Sequence, residues 1–217
     1  MSSILIERDG EERDALIGWW HEGDHLEPDA TVICAADEVV LFVDGDEIVA
    51  ELGPGRHRLT ADTQPSLAKY LREGPPDIDV GFVKTRSVTL AVDGLIGECT
   101  DEETAIESEL SLTSSFRVKV TNPALAVALN DELEEDVSVE EFLIDTFLGA
   151  ATDALESLEP TVKALRESGG KIPGWGEATL ARIQEELDGS GIEIELAEDL
   201  VAGLEEEEDE DDDDSPN

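Results

Sequence analysis

The stretch LSLTSSFRVKVTNPALAVAL, residues 110–129, contains the change of periodicity that decides the fold class. Apolar and polar residues alternate up to residue 120, and the apolar face consists of Leu110, Leu112, Phe116, Val118 and Val120. Alternation of this length predicts an antiparallel strand with one buried face. After Asn122 and Pro123 the apolar spacing becomes helical. We therefore expect the chain to pass from sheet to helix near residue 122.

Strand patterns dominate the part of the chain before this transition. The clearest is a hairpin, in which apolar residues 39–43 and 48–52 flank Asp44-Gly45, a strong tight-turn signal. Gly94 and Gly97 predict a turn or a bulge, and residues 65–72 predict a short helix. Further strands are predicted at residues 4–6, 15–20, 31–34, 80–83 and 88–92.

The part after residue 122 has the signals of helices. Ser138 and Glu141 form a capping box, which predicts a helix from Val139 to Leu158. This helix has two apolar rows, which together are wider than one sheet contact needs. Either the helix is sandwiched within its own chain, or part of it meets a neighbouring molecule. The rows are Val139, Leu143, Phe147, Ala150, Ala154 and Ile144, Leu148, Ala151, Leu155.

The last third of the chain returns to a strand. Pro160 ends the long helix, a second amphipathic helix is predicted at residues 177–188, and residues 192–196 alternate as a strand. The order predicts an α+β fold, with an antiparallel β-rich N-terminal part followed by amphipathic helices and a short return strand. The expected division is a β-rich core at 1–122, a helical segment with a terminal strand at 123–200, and a disordered acidic tail at 201–217.

The charge of the chain is the most informative property of its composition. Fifty-six acidic residues against 14 basic ones give a formal net charge of −42. Ten of the acidic residues lie at 205–214, and without them the charge would still be −32. At molar salt the Debye length falls to about 3 Å, which screens the self-repulsion of such a surface. We therefore predict a halophilic protein from an extreme halophile that keeps concentrated salt inside its cells.

The same charge argues against several partners. Nucleic-acid phosphates and anionic lipid headgroups would be repelled by this surface, so no nucleic-acid partner is expected. The first eight residues lack the pattern of a signal peptide, and no apolar run approaches the ~20 residues that cross a bilayer. The sequence predicts a cytoplasmic protein, peripheral to a membrane only through a partner protein.

Signals for catalysis or for a cofactor are weak. The chain has no GxSxG elbow, no P-loop and no GxGxxG motif, so neither catalytic nor cofactor-binding residues are predicted. Cys34 and Cys99 form no CxxC pair, and two small, partly buried thiols are favoured over a disulfide. For His21 and His25 a surface loop is favoured over a metal site. For Arg56, His57 and Arg58, pairing with nearby carboxylates is favoured over an anion site.

Several segments together resemble the SPFH/band 7 (stomatin–prohibitin–flotillin) superfamily, in particular its soluble, virion-core-protein-like branch. The Asp-Gly hairpin followed by LGPGRHRLT (residues 52–60) is similar to an element of that family, and so is the preceding segment that contains Trp19 and Trp20. SFRVKVTNPALAVAL (residues 115–129) resembles the sheet-to-helix transition, and LDGSGIEIEL (residues 187–196) resembles the closing strand. The chain lacks the family's usual membrane helix, coiled coil and tryptophan-bearing element at residues 86–97.

The resemblance implies a non-catalytic scaffold that assembles as a homo-oligomer and organises proteins in the cytoplasm or at the membrane periphery. The alternative is a monomeric or dimeric adaptor that binds a partner protein through its helices or exposed tryptophans. An enzyme or a small-ligand binder would need a deep pocket with convergent polar groups. The candidate interaction residues are Trp19, Trp20, Ile144, Leu148, Leu155 and Trp175.

Overall fold

The computed structural model describes residues 4–8, 10, 15–20, 26–72, 78–100, 107–134 and 137–205, and within them the predicted α+β fold is confirmed. The strands are β1 (Leu5–Ile6), β2 (Ile17–Trp19), β3 (Thr31–Cys34), β4 (Glu38–Asp44), β5 (Glu47–Leu52), β6 (Gly55–Arg58), β7 (Asp79–Lys84), β8 (Val88–Thr100), β9 (Glu107–Val120), β10 (Ile192–Leu196) and β11 (Ala202–Glu205). The helices are a 3-10 turn (Pro65–Leu67), α1 (Ala68–Arg72), α2 (Pro123–Glu132), α3 (Val139–Leu158), α4 (Val162–Ser168) and α5 (Trp175–Glu186).

The predicted hairpin is β4 and β5, the edge pair of an antiparallel sheet in the order β2-β7-β4-β5. Gly45 has a φ of 58°, a left-handed conformation that glycine adopts without steric cost and that tight hairpin turns require. Tyr70 of α1 is buried and donates a hydrogen bond of 2.6 Å to the Asp44 carboxylate. The short helix therefore holds the end of the hairpin.

A second, three-stranded sheet has the order β1-β3-β6. β1 runs parallel to β3, whereas β6 is antiparallel to β3. One face of this sheet is buried, with Ile6 and Val32 both at 0% exposure in a hydrophobic cluster that also contains Phe42 and Phe82 of the first sheet. Burial of this apolar surface is the main force that holds the two sheets together.

The N-terminal segment is held by a buried arginine. The Arg8 guanidinium donates to the carbonyl oxygens of Ala15 (2.6 Å) and Phe82, and its Nε lies 3.2 Å from the Glu38 carboxylate. Both charged side chains are less than a tenth exposed. A buried charge is tolerated only when it is paired and hydrogen-bonded, and these contacts meet that condition.

The third sheet has the order β10-β9-β11, and β8 also pairs with β9. The alternation predicted for β9 is confirmed, since Leu110, Leu112, Phe116, Val118 and Val120 are all buried. Of the turn or bulge predicted at Gly94 and Gly97, the turn does not form, because β8 continues through both positions.

The tail prediction is wrong in its first part. β11 pairs antiparallel with β9, and Ala202 lies opposite Leu112. A regular ladder of main-chain hydrogen bonds therefore extends into residues that the sequence analysis assigned to a disordered tail. The rest of that prediction, from residue 206, lies outside the described residues.

Local capping signals explain where the long helices begin and end. The Ser138 hydroxyl accepts from the Glu141 N–H (3.2 Å), and the Glu141 carboxylate accepts from the Ser138 N–H (3.0 Å), which confirms the capping box of α3. The Asn122 side chain caps the N-terminus of α2, where it accepts hydrogen bonds from the N–H groups of Ala124 and Leu125. Glu159, with a φ of 46°, ends α3 immediately before Pro160.

The chain divides into two compact units. Unit 1 contains Met1–Leu90, Arg117–Leu143 and Gln184–Glu195, and unit 2 contains Ala91–Phe116, Ile144–Ile183 and Leu196–Asn217. The units are discontinuous in sequence, because β8, β9 and α3 each supply residues to both. The sequence analysis instead divided the chain at residue 122, where strands are followed by helices.

Candidate interaction surface

Trp175, predicted as an interaction anchor, is fully buried at 0% exposure. Its indole nitrogen donates a hydrogen bond of 2.8 Å to the main-chain oxygen of Ala151 in α3. Of the glycines on either side, Gly176 has a packing role, because a Cβ there would lie 2.7 Å from the Leu196 side chain. Trp175 is therefore a core residue of unit 2, and its assignment to an interaction surface is corrected.

Residues of both apolar rows of α3 also pack against other residues of the same chain. Leu155 is 3% exposed, Leu148 is half-buried against Gly94 of β8, and Phe147 stacks on Phe116 with ring centroids 4.5 Å apart. Of the two alternatives for the wide face, these contacts favour a helix sandwiched inside unit 2. Leu155 is removed from the candidate interaction residues because it is buried. Ile144 is half-buried, like Leu148.

Trp19 and Trp20 are both half-buried. Trp19 lies opposite Gly81 in the neighbouring strand, and its ring occupies the space above that glycine. Trp20 packs against the hydrophobic cluster between the two sheets of unit 1. Neither indole is a fully exposed anchor, because each is partly covered by its own unit.

The outer side of the β1-β3-β6 sheet combines exposed apolar and basic side chains. Leu5 is 41% exposed and Ile33 is 36% exposed, which is unusual for large aliphatic residues in a chain this acidic. The strand register sets Leu5 beside Thr31, Thr31 beside Arg58, and Ile33 beside Arg56. Side chains of paired residues lie on the same side of a sheet, so these five form one surface, the β1-β3-β6 face.

The two arginines of the β1-β3-β6 face differ in their pairing. Arg58 forms an ion pair with Asp29 at 3.0 Å, and both side chains are more than half exposed. Such a pair contributes about 0–1 kcal/mol, since water screens it. Arg56 is exposed and has no ion pair with any residue that the structure describes. His57 lies on the strand between them and contacts the Gly53 carbonyl oxygen at 2.7 Å, instead of the predicted carboxylates.

A second exposed surface of unit 1 has the opposite charge. Leu125 of α2 is 42% exposed, and Ala128 and Glu132 follow it on the same side of the helix at spacings of three and four residues. Asp131 is exposed beside them. Partial burial, and then the negative charges of Asp79 and Asp46, raise the pKa of Asp131, although a hydrogen bond with Asn130 opposes the shift. Leu125, Ala128, Asp131 and Glu132 together are called the α2 row.

The described part of the chain contains no metal-binding cluster and two free thiols. No cluster of three or more His, Cys, Asp or Glu residues there could hold a metal ion, and His21 and His25 lie outside the described residues. Cys34 and Cys99 are free thiols. Burial raises the pKa of Cys34 to about 11, and a thiol that stays protonated is a poor nucleophile. None of the described helices is long and apolar enough to cross a membrane.

The hollows found on unit 2 are shallow. One of about 420 Å³ is lined by Gly174, Glu177, Leu196 and Leu200, and one of about 570 Å³ by Leu158, Pro160, Ala164 and Leu165. Lys171, Ile172 and Pro173 line both. Their charged lining residues include Lys171 and Asp199, whose side chains are both more than half exposed, so neither hollow resembles an enclosed small-molecule site.

The sequence analysis missed both surfaces of unit 1. Residues 4–6 and 31–34 were predicted as strands, but the pairing that unites Leu5, Ile33 and Arg56 depends on long-range register. The available signal was the unusual run Arg56-His57-Arg58 in an acidic chain. The comparisons with known proteins add nothing to this picture: no family model matches the chain, and no curated protein matches it.

Proposed function

We propose that this protein is a non-catalytic scaffold module of the SPFH/band 7 type that assembles with copies of itself. In this role it would organise other proteins in the cytoplasm or at the membrane periphery. The observation that carries the proposal is the β1-β3-β6 face, where Leu5 and Ile33 are exposed beside the unpaired Arg56. Exposed apolar side chains next to a cation characterise a surface that binds another macromolecule.

The order of the elements supports the family part of the proposal. The Asp-Gly hairpin, the Gly-Pro-Gly segment before β6, the strand β9 followed by the capped α2, and the return strand β10 occur in the order on which the resemblance rests. β10 pairs with β9. β6 itself, which lies within the family-like LGPGRHRLT element, supplies the arginines of the β1-β3-β6 face, so that element and the candidate surface coincide.

The distribution of exposed apolar residues favours binding of a macromolecule over binding of a small ligand. Among the exposed large hydrophobic residues, Leu5, Ile33 and Leu125 lie on strand and helix surfaces of unit 1 and line neither of the two hollows described above. Flat surfaces of this kind bury area against another surface of similar size. The high net charge does not prevent such contact at molar salt, where screening acts within about 3 Å.

Electron microscopy of the purified protein in 2 M KCl tests this proposal. We expect closed, symmetric particles much larger than one chain of 23.4 kDa. A uniform field of small monomers at every concentration would reject self-assembly. If those monomers captured one partner protein at a fixed stoichiometry, the adaptor alternative would replace the scaffold.

A further inference from the structure

We infer that the β1-β3-β6 face of one copy binds the α2 row of a second copy, so that the assembly contact is heterologous. This inference rests on the proposed function and names the two surfaces that would carry it. Both surfaces belong to unit 1, and each contains exposed apolar residues beside charges of one sign.

Charge excludes a contact between two identical β1-β3-β6 faces. Such a contact would bring the Arg56 and Arg58 side chains of both copies together, and among the described residues the carboxylate that pairs with one of them is Asp29. Like charges in a desolvated contact are strongly unfavourable. The α2 row offers carboxylates at Asp131 and Glu132 instead. Burial, and then the like charges of Asp79 and Asp46, raise the Asp131 pKa, and an approaching guanidinium would favour the charged carboxylate.

The dimensions of the two surfaces agree. From Leu5 across Thr31 to Arg58 there are two strand spacings, about 9.6 Å. From Leu125 to Glu132 the helix rises over seven residues, about 10.5 Å. A helix laid across the three strands would therefore set Leu125 on Leu5 and its acidic end on the arginines.

A heterologous contact has a defined consequence for assembly. Each copy uses one surface of each kind, so copies add head to tail and form a ring if the rotation closes or a filament if it does not. The net charge of −42 opposes association at low salt, whereas molar salt screens this long-range repulsion and leaves the apolar contact intact. Assembly should therefore increase as KCl is raised.

Two single variants block the two surfaces separately. Arg56→Glu removes the basic surface and keeps the α2 row, and Glu132→Arg does the reverse. We expect each variant alone to be a monomer in 2 M KCl, and an equimolar mixture to associate again, because the intact β1-β3-β6 face of one variant can bind the intact α2 row of the other and the two reversed charges also match. Lys119→Glu and Glu134→Arg are the matched controls, since both residues are exposed and the charge changes are equal.

Light scattering on each sample separates the outcomes. Monomeric single variants that associate when mixed support the inference, provided that both controls keep the wild-type mass. A large wild-type assembly that either variant leaves unchanged, or a mixture that stays monomeric, overturns the inference and leaves the proposed function standing. A wild-type protein that is monomeric from 0.5 to 4 M KCl overturns both.

Discussion

The indole nitrogen of Trp175 donates a hydrogen bond to the carbonyl oxygen of Ala151, with 2.8 Å between the two atoms. This contact fixes the first residue of α5 to the middle of α3 inside unit 2. It also explains why the apolar face of α3 is wider than one sheet contact needs. One side of the helix faces β8 and β9 through Leu148 and Phe147, and another side meets α5.

Replacement of Trp175 by phenylalanine should destabilise the fold. The variant loses the hydrogen bond, leaves the Ala151 carbonyl buried without that donor, and leaves a cavity, at a total cost of roughly 2–4 kcal/mol. Urea unfolding in 2 M KCl measures the change as a lower midpoint with an unchanged slope. Trp20→Phe, at a half-buried position, is the control and should cost less. Equal midpoints for the two variants would contradict the assignment of Trp175 to the core.

Glutamate at position 155 should unfold unit 2 and not merely weaken an interface. Leu155 is 3% exposed, so the new carboxylate would be buried without a partner, a change that costs upwards of about 4 kcal/mol. Leu95→Glu is the matched control, because Leu95 is 60% exposed. Circular dichroism during heating measures both. If Leu155→Glu and Leu95→Glu had the same melting temperature, the apolar row of α3 that contains Leu155 would not be covered by other residues.

The sequence predicted elements whose signals are local. The β4–β5 hairpin depends on Asp44-Gly45, and the start of α3 depends on Ser138 and Glu141, so a few adjacent residues determine each structure. Burial of Trp175 depends on residues distant in sequence, so the residues beside it do not reveal it. At Gly176 the missing side chain makes room for Leu196.

Strand register limited the prediction of the candidate surfaces. Leu5, Ile33 and Arg56 come from three strands, and only the pairing of those strands shows that they share one side of a sheet. β11 was missed for a different reason. Its four residues directly precede the acidic run, and the composition of that run hid a short strand.

Truncation separates β11 from the acidic residues that follow it. Removal of residues 206–217 should leave the melting temperature in 2 M KCl unchanged, since no described contact is lost. Removal of residues 202–217 should lower it, because β9 loses a ladder partner and the buried Ala202 is lost. Differential scanning calorimetry of the two truncated proteins provides the comparison. If the two truncated proteins had the same melting temperature, β11 would contribute nothing to the stability of the fold.

Cys34 should resist alkylation in the folded protein. Burial, followed by the charge of Glu38, raises the pKa of its thiol to about 11, so at pH 8 about one molecule in a thousand carries the reactive thiolate. Mass spectrometry after iodoacetamide treatment should find Cys34 unmodified in 2 M KCl and modified in urea. Rapid modification of Cys34 in the folded protein would contradict its burial.

The raised pKa of Cys34 also has a consequence for stability. A thiol whose charged form is disfavoured in the fold contributes stability that is complete below pH 9 and lost as the pH rises through 11. Urea midpoints of the wild type should therefore fall more steeply over that range than those of Cys34→Ala. Parallel pH profiles would show that the thiol does not titrate with the predicted pKa.

The mass of the wild-type protein in solution tests the scaffold proposal most directly. Size exclusion coupled to light scattering in 2 M KCl should give a mass many times the 23.4 kDa of one chain, and the mass should rise with KCl concentration as repulsion is screened. A mass of one chain at every concentration of salt and protein would contradict self-assembly.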